Sequence, residues 1–286
     1  MQSALPRTWL ITGCSTGLGR ALAAHAIARG ERVVATARNI SSLETLVSGH
    51  ANAMGVALDV TDKQSIDAAI SQAAERFGQI DVLVNNAGYG YISAVEEGDE
   101  REYRDMFEAN LFGLFDTTRA VLPLMRQRRS GRIVNISSVG GVIGNPGSGF
   151  YAASKFAVTG FSEALSKEVS AMGIKVTVVQ PGSFRTDWAG RSLRTSDARI
   201  ADYAETVHSR VSQLAAKSGR QPGDPARAAE AIFSIVESPT PPLRLVLGTD
   251  AARLIGAQYA ALQDELATWR PLSESVDFPA QAEPVA

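Results

Sequence analysis

Cysteine is nearly absent. Cys14 is the one thiol in 286 residues, which excludes an internal disulfide framework and a cysteine-rich metal site. Histidine is scarce as well. His25, His50 and His208 lack the close spacing of a metal-ligand motif, and His208 is expected in a solvated position. No apolar run reaches the ~18 residues of a membrane-crossing helix. The opening MQSALPRTWLITG lacks the charged and apolar regions of a secretory signal and runs straight into a strand, so a cytoplasmic location is expected. An excess of one charge is missing too. With 28 basic and 30 acidic residues the net charge is −2, which argues against nucleic acid or a membrane surface as partner. A small molecule is the expected partner.

What is present is a regular alternation. A chain of this length fits one large α/β domain or two small ones. No shift of composition marks a boundary and no repeat is seen, so one domain is expected over residues 1–286. Thr8–Ile11 reads as a strand, followed by a glycine loop and a helix ending at Gly30. Strands at Arg32–Thr36, Met54–Leu58, Asp81–Val84, Arg132–Ile136, Ile174–Val179 and Leu243–Leu247 follow, each an apolar run. Helices are expected at Ser41–Val47, Lys63–Phe77, Asp99–Arg128, Tyr151–Met172, Asp224–Glu237 and Ala251–Trp269. Pro123 should kink or end the third of these. Arg126, Arg128 and Arg129 near its end read as an anion site or, more simply, as helix C-terminal cations. Apolar rather than alternating strands, separated by helices, point to a parallel sheet covered on both faces. The polar stretch 182–223 has weak helical periodicity around Ile200–Ala216 and is long enough to cover a site as a lid. The end, 273–286, is polar and expected to be loosely ordered.

The glycine loop carries the first chemistry. Thr12-Gly13-Cys14-Ser15-Thr16-Gly17-Leu18-Gly19 closes a strand and opens a helix, the setting a dinucleotide-binding turn requires. Gly13 permits the tight turn, Gly17 lets the backbone approach a pyrophosphate, and Gly19 permits close packing of helix on strand. The helix N-terminus offers free N–H groups and positive dipole to phosphate. Cys14 reads as a small filler, because no base adjoins it. After the second strand, Ala37 stands where a carboxylate would hold the ribose hydroxyls, and Arg38 follows. A guanidinium there suits a 2′-phosphate, which favours NADP(H) over NAD(H), although NAD(H) stays possible. Asp59, after the third strand, either accepts a hydrogen bond from the adenine amino group or caps the Lys63 helix.

The stretch Asn135–Lys155 carries the second. Tyr151 and Lys155 lie four apart on a helix and so share a face. A neighbouring cation favours the phenolate and lowers the tyrosine pKa. Ser138 places a hydroxyl beside them. This trio suits proton exchange at a carbonyl or alcohol oxygen.

Taken in order, TGCSTGLG, Asp59 in LDV, NNAG at Asn85–Gly88, Asn110, Ser138, Tyr151-x-x-x-Lys155 and Pro181-Gly182 resemble a short-chain dehydrogenase/reductase over about residues 7–250. CSTGLG, ATARN and QPGSFRTDWAGRSL look most like its hydroxysteroid- and retinol-dehydrogenase-like branch. The resemblance implies a single Rossmann-type, doubly wound domain with a seven-stranded parallel sheet flanked by helices on both faces. It implies Tyr151 as general acid or base, with Lys155 lowering its pKa and holding the nicotinamide ribose. Ser138 would bind the substrate oxygen, Ser137 would be structural, and Asn110 would hold a water joining Lys155 to solvent. Cofactor contacts are implied at Gly13, Ser15, Thr16, Gly17, Leu18, Gly19, Arg38, Asp59, Val60, Asn86, Ala87, Gly88, Pro181, Gly182 and Thr186. By the same resemblance the chain would be a homodimer or homotetramer through Asp99–Arg128 and Tyr151–Met172.

The expected reaction is metal-free hydride transfer between NADPH and a carbonyl compound. Pocket walls are expected from Gly90–Glu96, Val139–Phe150 and Phe184–Leu193. Tyr89, Tyr91, Phe150, Phe184 and Trp188 would make them apolar, which suits a bulky alcohol or ketone. A silent NADP(H)-binding sensor on the same fold is the competing reading, but it has no need of Asn110, Ser138, Tyr151 and Lys155 together. Dehydration or epimerisation is a third, with no motif that favours it.

Overall fold

The computed structural model describes residues 5–190 and 192–278. In chain order it runs β1 (Thr8–Ile11), α1 (Gly17–Ala28), β2 (Arg32–Ala37), α2 (Glu44–Val47), β3 (Ala53–Ala57), α3 (Lys63–Phe77), β4 (Val82–Asn85) and β5 (Gly90–Ile92). Then come α4 (Glu100–Phe107), α5 (Gly113–Arg128), β6 (Gly131–Ile136), α6 (Gly149–Val169) and β7 (Ile174–Pro181). The last elements are β8 (Leu193–Thr195), α7 (Ser209–Ala216), α8 (Pro225–Glu237), β9 (Arg244–Leu247) and α9 (Thr249–Glu274).

Seven strands form one sheet in the order β3-β2-β1-β4-β6-β7-β9, with every pairing parallel. Successive strand residues point to opposite faces, and both faces are dry here. Trp9 and Ile11 join the core under α1 and α8, whereas Leu10 joins the one under α3, α5 and α6. This is why the strands read as unbroken apolar runs. On the first face Trp9 stacks on Phe233 with ring centroids 5.3 Å apart. The chain reverses direction across the sheet between β1 and β4. A crevice lies there at the carboxyl ends of the strands, as expected where the strand order reverses.

Three elements differ from the sequence reading. Asp99–Arg128 is not one regular helix: a wide π turn over Glu108–Phe112 separates α4 from α5. Pro123 neither ends nor visibly breaks α5, which reaches Arg128. Its ring is exposed, so the carbonyl it leaves unpaired faces water. The 182–223 segment contains β8, which pairs in parallel with β5 to make a second, two-stranded sheet. Three residues are too few to show a period. Helical structure in this segment is split into short turns before α7.

The last helix is longer than its apolar pattern suggests and buries only Ala251 and Ile255. Leu262, Leu266 and Trp269 are exposed along it. The expected loose tail falls largely on 279–286, outside the described residues. Among the described residues no helix is long and apolar enough to cross a membrane.

Candidate active site

β1 delivers the chain into the crevice at Thr12. The Thr12 hydroxyl accepts the N–H groups of Asn86 and Ala87, both at 2.9 Å. The Asn86 amide donates back to the carbonyls of Thr12 (2.9 Å) and Gly13 (3.0 Å). The loop after β4 is thereby laid against the glycine loop. Gly13 has φ +73° and sits where a Cβ would come 2.9 Å from Ala87 Cα. At Gly19 a Cβ would lie 2.3 Å from Asn86 Nδ2. The close packing expected of Gly19 therefore exists, but against the β4 loop rather than a strand.

The start of α1 is left open. Thr16 makes no side-chain cap and the first turn holds no acid, whereas α3, α4 and α8 are capped by Asp62, Asp99 and Asp224. A first turn with no side-chain cap and no acid of its own fits the pyrophosphate of a dinucleotide. Cys14 faces away: its Sγ bonds the Ile11 carbonyl, and burial pushes the thiol up to about 12.

A cavity of about 1230 Å³ spreads from this loop along the carboxyl ends of the strands. Gly13, Ser15, Thr16, Gly17, Leu18, Asn86, Ala87 and Gly88 line one stretch of it. Arg38, Asp59 and Val60 line the stretch next to β2 and β3. Arg38 is exposed and belongs to none of the ion pairs among the described residues. The Asp59 carboxylate accepts from the Thr61 N–H (3.0 Å) and hydroxyl (2.8 Å). The cap of α3 is Asp62, which accepts from Gln64 N–H at 2.9 Å; of the two readings of Asp59, capping goes to its neighbour.

Ser138, Tyr151 and Lys155 meet at the middle of the cavity. Ser138 stands just past β6, and α6 carries the other two in its first turns. Tyr151 and Ser138 meet over Gly140, where a Cβ would lie 3.3 Å from Tyr151 Cε1 and 3.5 Å from Ser138 Oγ; Ser138 Oγ accepts the Gly140 N–H at 3.0 Å. Lys155 Nζ donates to the Ile136 carbonyl at 3.0 Å and lies 5.9 Å from the Tyr151 ring centroid. Ser137 holds the main chain of α6, donating to the Lys155 carbonyl at 3.0 Å, which is a structural role.

Burial governs both ionisable groups. It pushes Tyr151 up to about 12, against the opposing pull of the neighbouring Ser138 hydroxyl. It brings Lys155 down to about 8. The i, i+4 spacing alone suggests a lowered tyrosine; here the loss of water outweighs it, because removing solvent penalises the charged form of each group. The phenol is protonated at neutral pH.

Asn110 does not line the cavity. It sits in the π turn, fully buried, and its amide clamps Tyr89. Oδ1 accepts the Tyr89 N–H and Nδ2 donates to the Tyr89 carbonyl, both at 2.9 Å. Nδ2 also reaches Ser154 Oγ at 3.3 Å. Gly88 fits between it and Lys155: a Cβ there would come 2.6 Å from Asn110 Oδ1 and 3.7 Å from Lys155 Nζ.

From the end of β7 onward, Pro181, Gly182, Phe184, Thr186 and Trp188 line the cavity. Asp250 backs this turn by accepting the Ser183 N–H at 2.9 Å. Trp188 tilts over Tyr151, with ring centroids 5.4 Å apart. Two expected wall aromatics belong to the core instead. Tyr91 is fully buried and its hydroxyl accepts the Asp99 N–H. Phe150 stacks on Tyr103 at 4.3 Å. His208 is not solvated either; it lies 2.8 Å from the buried Glu97 carboxylate. Sequence reasoning missed Arg194, Arg210, Leu214, Lys217 and Arg220, which also line the cavity. The spacing of Arg210, Leu214 and Lys217 at i, i+4 and i+7 was the available signal. Among the described residues no group of three or more His, Cys, Asp or Glu side chains is placed to hold a metal ion.

The strand order, the open helix N-terminus after β1 and the Ser138–Tyr151–Lys155 set beside it define a dinucleotide-binding α/β oxidoreductase. The family model described as short chain dehydrogenase matches residues 7–197. The chain belongs to this family of NAD(P)-dependent enzymes acting on CH–OH groups. It is 41% identical over 271 residues to oxidoreductase BOA17 of Botryotinia fuckeliana, covering 94% of this chain and 98% of that one. The crystal structure of a short-chain dehydrogenase from Streptomyces avermitilis superposes with a TM-score of 0.89 at 43% identity, covering 96% of this chain and 100% of that one. An alcohol dehydrogenase from Thermococcus sibiricus, complexed with 5-hydroxy-NADP, superposes with a TM-score of 0.69 at 25% identity, covering 84% and 95%.

Proposed function

We propose that the protein transfers a hydride between NADP(H) and a bulky ketone, aldehyde or alcohol. The observation that carries this reading is the Ser138–Tyr151–Lys155 set, brought together over Gly140, in the same cavity as the helix N-terminus that has no side-chain cap. The nicotinamide supplies the hydride. Ser138 binds the substrate oxygen; its Oγ is anchored by the Gly140 N–H, which leaves its own hydrogen to donate. Tyr151, kept protonated by burial, gives that oxygen its proton in reduction and takes one back in oxidation. Lys155, brought down to about 8, holds its proton loosely and recharges Tyr151. Asn110 positions this pair through Tyr89 and Ser154.

NADP(H) is favoured over NAD(H) by Arg38, a guanidinium on the cavity wall that belongs to no ion pair among the described residues. The NADP derivative in the Thermococcus sibiricus enzyme agrees with this. Residues 182–223 act as the lid of a single domain, and Phe184 and Trp188 form the apolar wall of the substrate end. Homo-oligomerisation through the segments Asp99–Arg128 and Tyr151–Met172 is supported by Phe112 in the π turn and Phe156 in α6, which are 45% and 46% exposed. The proposed location is the cytoplasm.

The test is NADPH consumption across a panel of ketones and aldehydes, with the wild type and Tyr151→Phe. Tyr151→Phe should lose about 10²–10⁴-fold in kcat while still binding NADPH. Undiminished turnover would remove Tyr151 as the acid.

A further inference from the structure

Three cations of the lid line the cavity with no carboxylate of their own. Arg210 and Lys217 lie seven residues apart with Leu214 between them, so one face of α7 and its C-terminal turn looks into the cavity. Arg220 follows on the next turn and lines it too. Among the described residues no ion pair includes Arg210, Lys217 or Arg220. Arg210 is the most telling. It is half-buried, and desolvation lowers its pKa. Its one side-chain hydrogen bond among the described residues, at 2.8 Å, goes to the neutral carbonyl of Pro146, in the loop that leads into Tyr151. A half-buried guanidinium that forms no ion pair among the described residues is an unbalanced charge.

The pose of α7 is held from below. Val207 is buried where a Cβ on Gly147 would come 2.9 Å from its Cγ1, and His208 is held by Glu97. The cavity's own acids are engaged elsewhere or unpaired with these cations. Asp59 is taken by Thr61 and Asp250 by Ser183. Asp105 pairs with Arg101 at 3.9 Å. Asp187 and Glu108 form no ion pair with the three cations.

Resting on the oxidoreductase reading above, we propose that Arg210, with Lys217 and Arg220, binds an anionic group at the end of the substrate remote from its carbonyl. The substrate class is then a carbonyl compound that also carries a carboxylate or a phosphate. The apolar wall of Phe184 and Trp188 receives the part near the reacting carbon, and the lid face receives the charge. A planar fork suits either anion.

The experiment uses one ketone skeleton ending in a carboxylate, in a phosphate or in the neutral methyl ester, with saturating NADPH. The wild type should favour one or both anions over the ester by about tenfold or more in kcat/KM. The preferred member separates carboxylate from phosphate, and the preference should weaken as ionic strength rises. Arg210→Gln should collapse the anion-to-ester ratio, and Arg210→Lys should restore part of it. Lys217→Gln, which gives up no hydrogen bond, should lower the ratio in the same direction and so guards against a displaced lid. Equal kcat/KM for ester and anions in the wild type would overturn the inference alone. So would variants whose main effect is a raised KM for NADPH, since the cations would then serve the cofactor's phosphates. Binding of NADPH with no turnover of any member would overturn the oxidoreductase reading, and this inference with it.

Discussion

Glu97 Oε1 lies 2.8 Å from His208 Nε2 and accepts the Ile200 N–H at 2.6 Å. One buried carboxylate after β5 thus ties down two points of the lid. The Glu97 carbonyl adds a third by accepting from the Ser196 hydroxyl at 2.5 Å. Burial alone would raise the Glu97 pKa, but the Ile200 N–H and His208 outweigh it and hold it below the usual carboxylate value. The tie is therefore present above the ordinary glutamate range and is lost as pH falls through the lowered value.

Glu97→Ala should free the lid while leaving the sheet intact. The expected result is a carbonyl-substrate KM raised about ten- to hundredfold, with faster proteolytic cleavage between residues 196 and 210. The wild type should show the same cleavage only in acid. Unchanged cleavage and KM would mean that other contacts hold the lid.

Lys155 costs the folded state stability at neutral pH. The unfolded chain keeps this proton up to 10.5, the folded protein only to about 8. Between those values the unfolded state binds more protons, so stability rises with pH. Above 10 Tyr151 opposes the gain, because the folded protein keeps that proton up to about 12. Lys155→Met should be inactive yet more stable at neutral pH by about 1–3 kcal/mol. That advantage should shrink as pH climbs past 8. Urea midpoints of both proteins across this range give the comparison.

Arg38→Ala should raise the KM for NADPH by about ten- to hundredfold, the worth of a charge-assisted contact. The KM for NADH should move far less. A parallel rise for both cofactors would show that Arg38 does not read the 2′-phosphate.

Gly19→Ala places a methyl 2.3 Å from Asn86 Nδ2 and 2.6 Å from the Gly13 carbonyl. Overpacking there should cost about 1–3 kcal/mol and weaken dinucleotide binding by displacing the glycine loop. Thermal midpoint and NADPH titration read the two effects separately.

Much of the fold was legible because both sheet faces are dry, so Thr8–Ile11, Arg32–Ala37 and Val82–Asn85 show as apolar runs with glycine or asparagine at their ends. The glycine loop, Ser138 and Tyr151 were legible because their chemistry demands particular residue types at fixed spacing. The π turn at Asn110 was not, since a single extra residue per turn leaves the apolar period almost unchanged. β5 and β8 were hidden by their length. Tyr91 and Phe150 were misplaced because an aromatic beside a cavity and one beneath it have the same sequence. His208 looked solvated because its partner, Glu97, is 111 residues away in the chain.

The last helix buries nothing past Ile255. Its remaining 19 residues, Gly256–Glu274, would make an arm about 28 Å long at 1.5 Å per residue. A fluorophore or affinity handle fixed near Trp269 would ride well clear of the catalytic cavity. It would report rotation of the whole body without touching lid or cofactor. Cys14 is buried, so an introduced surface thiol on that arm could be labelled selectively without first removing the native one.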